Sequence, residues 1–194
     1  MVNEEPSPFE GRTPVPSLVQ RDGSVTLIEG QTFCLSGRTG DLSPDFVNGL
    51  FFLDTRILSR WELRVNGDPL EPLSVDVTEP FAAAFLGRVH SAAGRADAET
   101  VAFRYRSIGS GMRERIVLVH HGLDPVPVVV ELSCDVDFAG LFEVKESRVR
   151  RRDRHIEATA SGLRFVMAEV GLASRWVSRS ANRPRSRTGW SPGE

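Results

Sequence analysis

The sequence predicts an all-β fold, an antiparallel β-sandwich, and three observations lead to it. The chain has 194 residues, of which 40% are hydrophobic, so it can bury a core of ordinary size. Apolar residues recur at every second position, which is the period of a strand and not of a helix. Short apolar segments alternate closely with Gly, Pro, Asn and Asp turns, a pattern typical of sandwiches.

The clearest predicted strand is the segment Arg60–Asn66. Trp61, Leu63 and Val65 alternate with charged residues, so this strand should have one buried and one solvated face. Its position on the apolar face favours core packing for the Trp61 ring over stacking on a saccharide. The following Asn66-Gly67 pair tolerates positive φ and predicts a turn.

The remaining predicted strands follow the same reasoning. Val101, Phe103 and Tyr105 alternate with Arg104 and Arg106, which predicts an apolar inner face and an arginine outer face. Further short strands are predicted at Ser24–Glu29, Gln31–Ser36, Phe51–Asp54, Leu141–Lys145, Arg154–Ala160 and Leu163–Ala168. The helical signal is weak throughout.

Two valine-rich segments, Ile116–His121 and Val126–Cys134, surround a short Gly122–Pro125 loop. Two β-branched runs joined in this way predict a hairpin. Because both faces of these strands are apolar, they are expected to lie between two layers.

The chain is expected to have three parts. Residues 1–17 are acidic and proline-rich and predict a flexible lead-in, residues 18–172 form the sandwich domain, and residues 173–194 form a disordered tail. The tail has five arginines against one glutamate, a local charge of +4. The net charge is −2, so the remainder carries about −6 and is a poor nucleic-acid binder. A leader or membrane-spanning run is not expected, which predicts a cytoplasmic protein.

Neither a metal site nor a cofactor is expected. Cys34 and Cys134 are far apart without CxxC spacing, so reduced thiols are favoured over a disulfide or a zinc site. His120 and His121 are adjacent and would point to opposite faces of a strand. A catalytic carboxylate pair could be sought in Asp135 and Asp137, but a structural role is favoured, since nothing nearby predicts a cleft.

Two segments carry a resemblance to a known family. In the first, Gly37–Gly67, the pattern consists of a Gly-Asp turn, then GLF, DTR, LS, a tryptophan and NG; in the second, Asp135–Glu146 reads DVDFAGLFEVKE. Both resemble segments of the N-terminal domain of bacterial glycogen-debranching (amylo-α-1,6-glucosidase-like) enzymes. The matching residues that the resemblance marks as structural are Gly40, Gly49, Trp61, Asn66, Gly67, Asp137, Phe138, Phe142 and Glu143.

The resemblance implies a large antiparallel β-sandwich of the supersandwich type, placed ahead of an (α/α)-barrel that carries the catalytic carboxylates. This chain would then be a non-catalytic accessory domain that stops before the barrel. The strand pattern departs from the family after Leu163–Phe165, so the sandwich can be incomplete. The alternatives are a stand-alone carbohydrate-binding sandwich, a gene remnant, and, last, a regulator that uses its arginine tail.

The implied partners are an α-glucan or a catalytic barrel, and the candidate residues that would face them lie in the first motif. They are Arg38, Asp41, Asp54, Thr55 and Arg56. Asp54 and Arg56 are two apart on a predicted strand, so they could share an ion pair or bind a third group. The alternative, which we favour, is a buried polar network that holds a strand corner.

Overall fold

The computed structural model describes residues 19, 22–45, 47–90, 99–159, 162–167 and 173–175. The chain divides after Arg151 into two compact units, which are described separately. The structure consists mostly of strands and has almost no helix, so the all-β prediction is confirmed.

Fourteen strands and one short helix are assigned in the described residues. They are β1 (Val25–Glu29), β2 (Thr32–Ser36), β3 (Gly49–Phe52), β4 (Thr55–Leu58), β5 (Arg60–Val65), β6 (Asp68–Pro69), β7 (Glu71–Glu79), β8 (Ala82–Arg88), β9 (Thr100–Ile108), β10 (Met112–His120), β11 (Val130–Asp135), α1 (Leu141–Lys145), β12 (Arg154–Thr159), β13 (Gly162–Met167) and β14 (Ala173–Arg175).

The strands form four antiparallel sheets, three of them in the first unit. Their strand orders are β1-β2-β3-β4 (the N-terminal sheet), β10-β9-β8-β7 (the central sheet), β11-β5-β6 (the short sheet) and, in the second unit, β12-β13-β14. Within the described ranges none of these sheets closes into a barrel. Antiparallel pairing throughout agrees with the fold class that the alternation predicts.

The short sheet packs on the central sheet through the apolar face of β5. Leu63 and Val65 are each 1% exposed and share a buried cluster with Ala102 of β9. Ile116 and Leu118 of β10 pack against the same cluster. The period-two pattern of β5 therefore does what the sequence predicts, with its apolar side chains inside.

The turn after β5 is also confirmed. Asn66 and Gly67 both have positive φ, 56° and 87°, and connect β5 to β6. This is the geometry that a two-residue turn requires if its twist is to match that of the flanking strands. The Asn66 side chain further accepts a hydrogen bond of 2.9 Å from the Val129 amide, which anchors the approach to β11.

The predicted valine-rich hairpin is wrong. β10 pairs with β9 and β11 pairs with β5, so the two strands belong to different sheets. Nine residues, 121–129, separate them, which is long enough to cross between layers. The expectation that both segments are buried on both faces also fails, because Val129 and Val130 are largely exposed.

A second correction concerns Leu141–Lys145, which is a helical turn and not a strand. The Gly140 amide donates to Glu143 Oε2 at 2.9 Å, so the glutamate side chain caps the helix start. Phe138, just before it, has φ 52°, which turns the chain sharply out of β11. At five residues the element is too short for a helical period to be visible in the sequence.

The termini are described only in part. The predicted lead-in, residues 1–17, lies outside the described residues. The first three residues of the predicted tail, Ala173–Arg175, form β14 and pair with β13, and residues 176–194 are not described. Both cysteines are free thiols, Cys34 buried and Cys134 half-buried. Among the described residues no helix is long and apolar enough to cross a membrane.

Candidate functional site

Three arginine side chains of the first unit are almost entirely buried. Arg56 lies on β4, and Arg104 and Arg106 lie on β9, with exposures of 0–2%. A buried cation is strongly destabilising unless it is paired and hydrogen-bonded. The partners of these three guanidinium groups therefore define what this region can do.

Glu114 on β10 is the centre of the first cluster. Arg106 donates to its Oε1 through both Nε, at 3.0 Å, and Nη2, at 2.7 Å, and these are charge-assisted hydrogen bonds. Arg104 Nη2 donates to Oε2 at 3.1 Å, and Trp61 Nε1 donates to the same oxygen at 2.7 Å. One carboxylate thus joins β5, β9 and β10.

Asp41 extends this cluster toward the turn after β2. Its Oδ1 accepts from Arg104 Nη1 at 2.5 Å and from the Leu63 amide at 3.0 Å. Gly40 has φ 82°, and a Cβ there would approach the Phe85 ring at 3.0 Å, which explains the glycine. The Gly40 carbonyl accepts from Arg106. The predicted Gly-Asp turn is therefore held by the arginines of another sheet.

Arg56 forms a second cluster with Asp137, the residue two positions after β11. Its Nε donates to Asp137 Oδ2 at 3.1 Å, and Nη2 donates to the same oxygen. Nη1 donates to the Asn48 carbonyl at 3.0 Å. Gly49 has φ 152°, and a Cβ there would lie 2.5 Å from Arg56 Cδ, so the guanidinium stem occupies the space of a side chain.

The second cluster joins the two sequence motifs. The Arg56 amide donates to the Ala139 carbonyl at 2.8 Å, and the Leu141 amide donates to the Asp54 carbonyl at 2.8 Å. Thr55 and Gly140 form an antiparallel bridge between these two bonds. Segments more than 80 positions apart therefore meet at one place, because an ion pair and the two backbone hydrogen bonds of this bridge hold them together.

This junction has an exposed apolar side, which we call the motif junction surface. It consists of Phe52, Leu53, Asp54 and Phe142, of which Leu53 is 57% and Phe142 is 73% exposed. Leu53 and Phe142 each lie one residue from the Asp54–Leu141 hydrogen bond. Leu53 and Asp54 also have positive φ, 46° and 59°, a conformation that costs non-glycine residues of order 1 kcal/mol or more each.

The predicted site residues are distributed between these features. Asp54 is exposed in the β3–β4 turn and does not share a strand face with Arg56, whose ion pair is with Asp137. Arg38 is exposed and lies over Gly23, Thr55 is half-buried in the junction, and Asp41 belongs to the Glu114 cluster. Glu143 caps α1.

Arg104, Arg106 and Glu114 were missed by sequence reasoning. Alternation along β9 predicts the aromatic face inside, whereas the arginines are buried and Tyr105 is 39% exposed. The available signal was Glu114 at the matching position of the next strand, between Arg113 and Arg115. Glu114 lies directly opposite Arg106 on the paired strand, and its carboxylate offsets the free-energy cost of burying the arginine.

The electrostatics of the cluster favour ionised groups. Burial acts to raise the pKa of Glu114, but Arg106, Arg104 and the Trp61 hydrogen bond outweigh it, and the pKa lies below its usual value of 4.5. Burial raises the pKa of the Cys34 thiol, which keeps it protonated. A general acid in glycoside hydrolysis needs a carboxyl group that retains its proton, so Glu114 is suited to a structural role.

Replacing Glu114 with Ala should destabilise the first unit by about 3–5 kcal/mol, because Arg106 would remain buried without its charge partner and Arg104 would keep only Asp41. Urea denaturation followed by tryptophan fluorescence measures this. The matched control, the exposed Glu29→Ala, should stay within about 0.5 kcal/mol of the parent chain. Equal effects of the two changes would contradict the structural role of Glu114.

The same carboxylate should make stability depend on acid. Because its pKa is lower folded than unfolded, its contribution is present above about pH 4.5 and lost as pH falls through the folded pKa. The thermal midpoint of the parent chain should therefore fall more steeply between about pH 5 and pH 3 than that of Glu114→Gln. Parallel curves for the two chains would show that Glu114 does not titrate with folding.

The profile described as the N-terminal domain of (some) glycogen debranching enzymes matches residues 27–188, which include both motifs and both arginine clusters. A search of curated proteins finds no match. Since the matched region spans most of the 194 residues, the chain belongs to the family of N-terminal domains of glycogen debranching enzymes.

Proposed function

We propose that this chain acts as a non-catalytic accessory domain of a debranching glycoside hydrolase and packs on its (α/α)-barrel catalytic domain through the motif junction surface. Family membership supports an accessory role. The observation that carries the choice of surface is the junction itself, where both family motifs converge on exposed Phe52, Leu53 and Phe142.

The chemistry of the surface suits a protein partner. Exposed apolar side chains that are grouped, and not scattered, commonly mark interaction sites. Leu53 combines exposure with an unfavourable backbone conformation, and such strain is often kept where it serves recognition. Asp54 adds a carboxylate at the edge that can accept hydrogen bonds from a partner and orient it.

The buried ion pair beneath the surface gives it rigidity. Arg56 holds Asp137, and the backbone bonds beside them hold the β3–β4 turn against α1. A surface that is already ordered loses less conformational entropy when it binds. The accessory domain would thereby present a preformed platform and leave the catalytic carboxylates to the barrel.

The test is binding to a debranching-enzyme catalytic domain expressed without its own N-terminal domain. Leu53→Lys combined with Phe142→Lys should weaken the affinity at least about tenfold, or 1.4 kcal/mol, because charges would enter an apolar interface. Isothermal titration calorimetry measures the affinity, and Leu123→Lys, at a fully exposed position elsewhere, is the matched control. If the double variant and Leu123→Lys bind the catalytic domain with equal affinity, the motif junction surface is not the binding site.

A stand-alone carbohydrate-binding module is the second candidate, and one observation favours it. On the outer face of the central sheet, Phe103 and Tyr105 have parallel rings with centroids 6.2 Å apart, and the Arg115 guanidinium lies 4.6 Å from the Tyr105 centroid. Aromatic rings beside a hydrogen-bond donor can pack on sugars. The Trp61 ring is instead engaged through its donor to Glu114.

Retention on immobilised glycogen separates the two candidates. If the second is correct, the folded parent chain is retained and Tyr105→Ala, which removes an exposed ring, elutes early. The accessory-domain proposal predicts that neither the parent chain nor Tyr105→Ala is retained on the glycogen column. Trp61→Ala is a poor control, since it also removes a partner of Glu114, and Phe81→Ala, at an exposed ring outside the strands, is the suitable one.

A further inference from the structure

One strand of the first unit has a core face that no other described residue of this unit covers. On the short sheet, Val130 and Leu132 of β11 lie directly opposite Val65 and Leu63 of β5. Directly opposite residues of an antiparallel pair share a face, so all four form one apolar row. The two on β5 are each 1% exposed, whereas Val130 is 49% and Leu132 is 39% exposed. The buried row is therefore interrupted between neighbouring strands.

The contacts of the short sheet show where the missing cover would lie. Leu70, just after β6, contacts Gly87 of β8, so that side of the sheet lies over β8. β5 lies over β9 and β10, through the cluster that contains Ala102, Ile116 and Leu118. β11 is on the opposite side of β5 from β6, and it therefore overhangs the position next to β10.

Among the described residues of the first unit, that position is open. β10 is the last strand of the central sheet and β11 is the last strand of the short sheet, so each pairs on one side only. A strand edge presents unpaired backbone donors and acceptors that can accept a further strand. One strand added beside β10 would pair with that edge and cover Val130 and Leu132 at the same time.

We propose that the added strand is β11 of a second copy of this chain. A two-fold axis parallel to the strands, midway between the two β11 strands, places each β11 beside β10 of the other copy. The short sheet of one copy then continues into the central sheet of the other. Val130 and Leu132 of the two copies face each other across the two-fold axis. Such an arrangement is isologous and closed.

The strand directions permit this pairing. Trp61, early in β5, bonds Glu114, early in β10, and Leu63 and Val65 pack with Ile116 and Leu118, so β5 and β10 run the same way. β11 is antiparallel to β5 and hence antiparallel to β10. A two-fold axis along the strands preserves this direction, so the second copy's β11 meets β10 as an antiparallel neighbour.

The register and the side-chain faces agree as well. Cys134 is opposite Trp61, which bonds Glu114, so the second copy's Cys134 lies near Glu114 and its Leu132 near Ile116. Ile116 packs inward, and the second copy's Leu132 would also point inward. In this register every side chain keeps the face that it has in the single chain. A register shifted by one residue would move each side chain of the second copy's β11 to the other face of the sheet.

The outer faces of the paired strands have complementary charges. β10 presents Arg113 and Arg115 on its outer face, and both are exposed. β11 presents the exposed Glu131, and Asp135 at its end, on the face opposite Leu132. In the proposed register Asp135 of one copy lies across from Arg113 of the other, and Glu131 is the diagonal neighbour of Arg115, which favours this pairing over two identical strands side by side.

The dimer goes beyond the proposed accessory function, and it uses none of the residues of the motif junction surface. It is tested on the full chain by sedimentation velocity over a range of concentrations. The parent chain should sediment as a dimer, and Leu132→Lys should raise its dissociation constant at least about tenfold by placing a charge in the apolar row. Leu53→Lys, which changes another exposed leucine outside the proposed interface, should leave the dissociation constant unchanged.

Cross-linking supplies a second readout, and its main result is obtained on the parent chain. Cys134 is half-buried and Cys34 fully buried, so a short bismaleimide should join the parent chain through the two Cys134 residues. Val130→Lys should suppress this product while circular dichroism remains that of a strand-rich fold. A parent chain that stays monomeric at all concentrations, or equal effects of Leu132→Lys and Leu53→Lys, would overturn the proposal.

Discussion

The fold of the first unit depends on how Glu114 pairs with two arginines that no solvent reaches. Arg104 and Arg106 lie on β9, inside the central sheet, and Glu114 on the neighbouring strand pairs with both at 2.7–3.1 Å. Through Trp61 the same carboxylate reaches the short sheet, and through Arg104 the cluster reaches Asp41. Buried ion pairs add little net free energy, but a single missing partner is costly. The network therefore contributes little to the total stability, but it disfavours every other arrangement of the sheets, in which a buried charge would lack its partner.

One atom of this network is left without a partner. Arg104 Nε is buried and makes no hydrogen bond within the described residues, although both of its terminal nitrogens are paired. An unsatisfied buried donor typically costs about 1–3 kcal/mol. Arg104 is therefore retained because of what its two ends join, Glu114 and the Thr39–Asp41 turn, and not because its burial is favourable by itself. This is consistent with a polar network that determines specificity of packing.

The sequence predicts those features whose cause is local. The Asn66-Gly67 turn follows from the backbone freedom of two residues, and the inward face of β5 follows from alternation within six residues. The face of β9 could not be predicted in this way. Alternation identifies two faces but does not say which one is inside, and Arg106 is inside only because Glu114, on another strand, pairs with it. The pairing of β11 with β5 likewise depends on a partner more than 60 positions away.

The candidate site shows the same division between local and distant causes. The motif residues could be recognised, but the only partner that the sequence suggested for Arg56 was its neighbour Asp54, and the distant Asp137 with which it pairs could not be identified. Arg56 pairs with Asp137, and Asp54 is exposed at the tip of the β3–β4 turn, next to Leu53. The polar part of the motif thus holds the two segments together from within. Its apolar part remains outside, where an accessory domain would meet the enzyme that it serves.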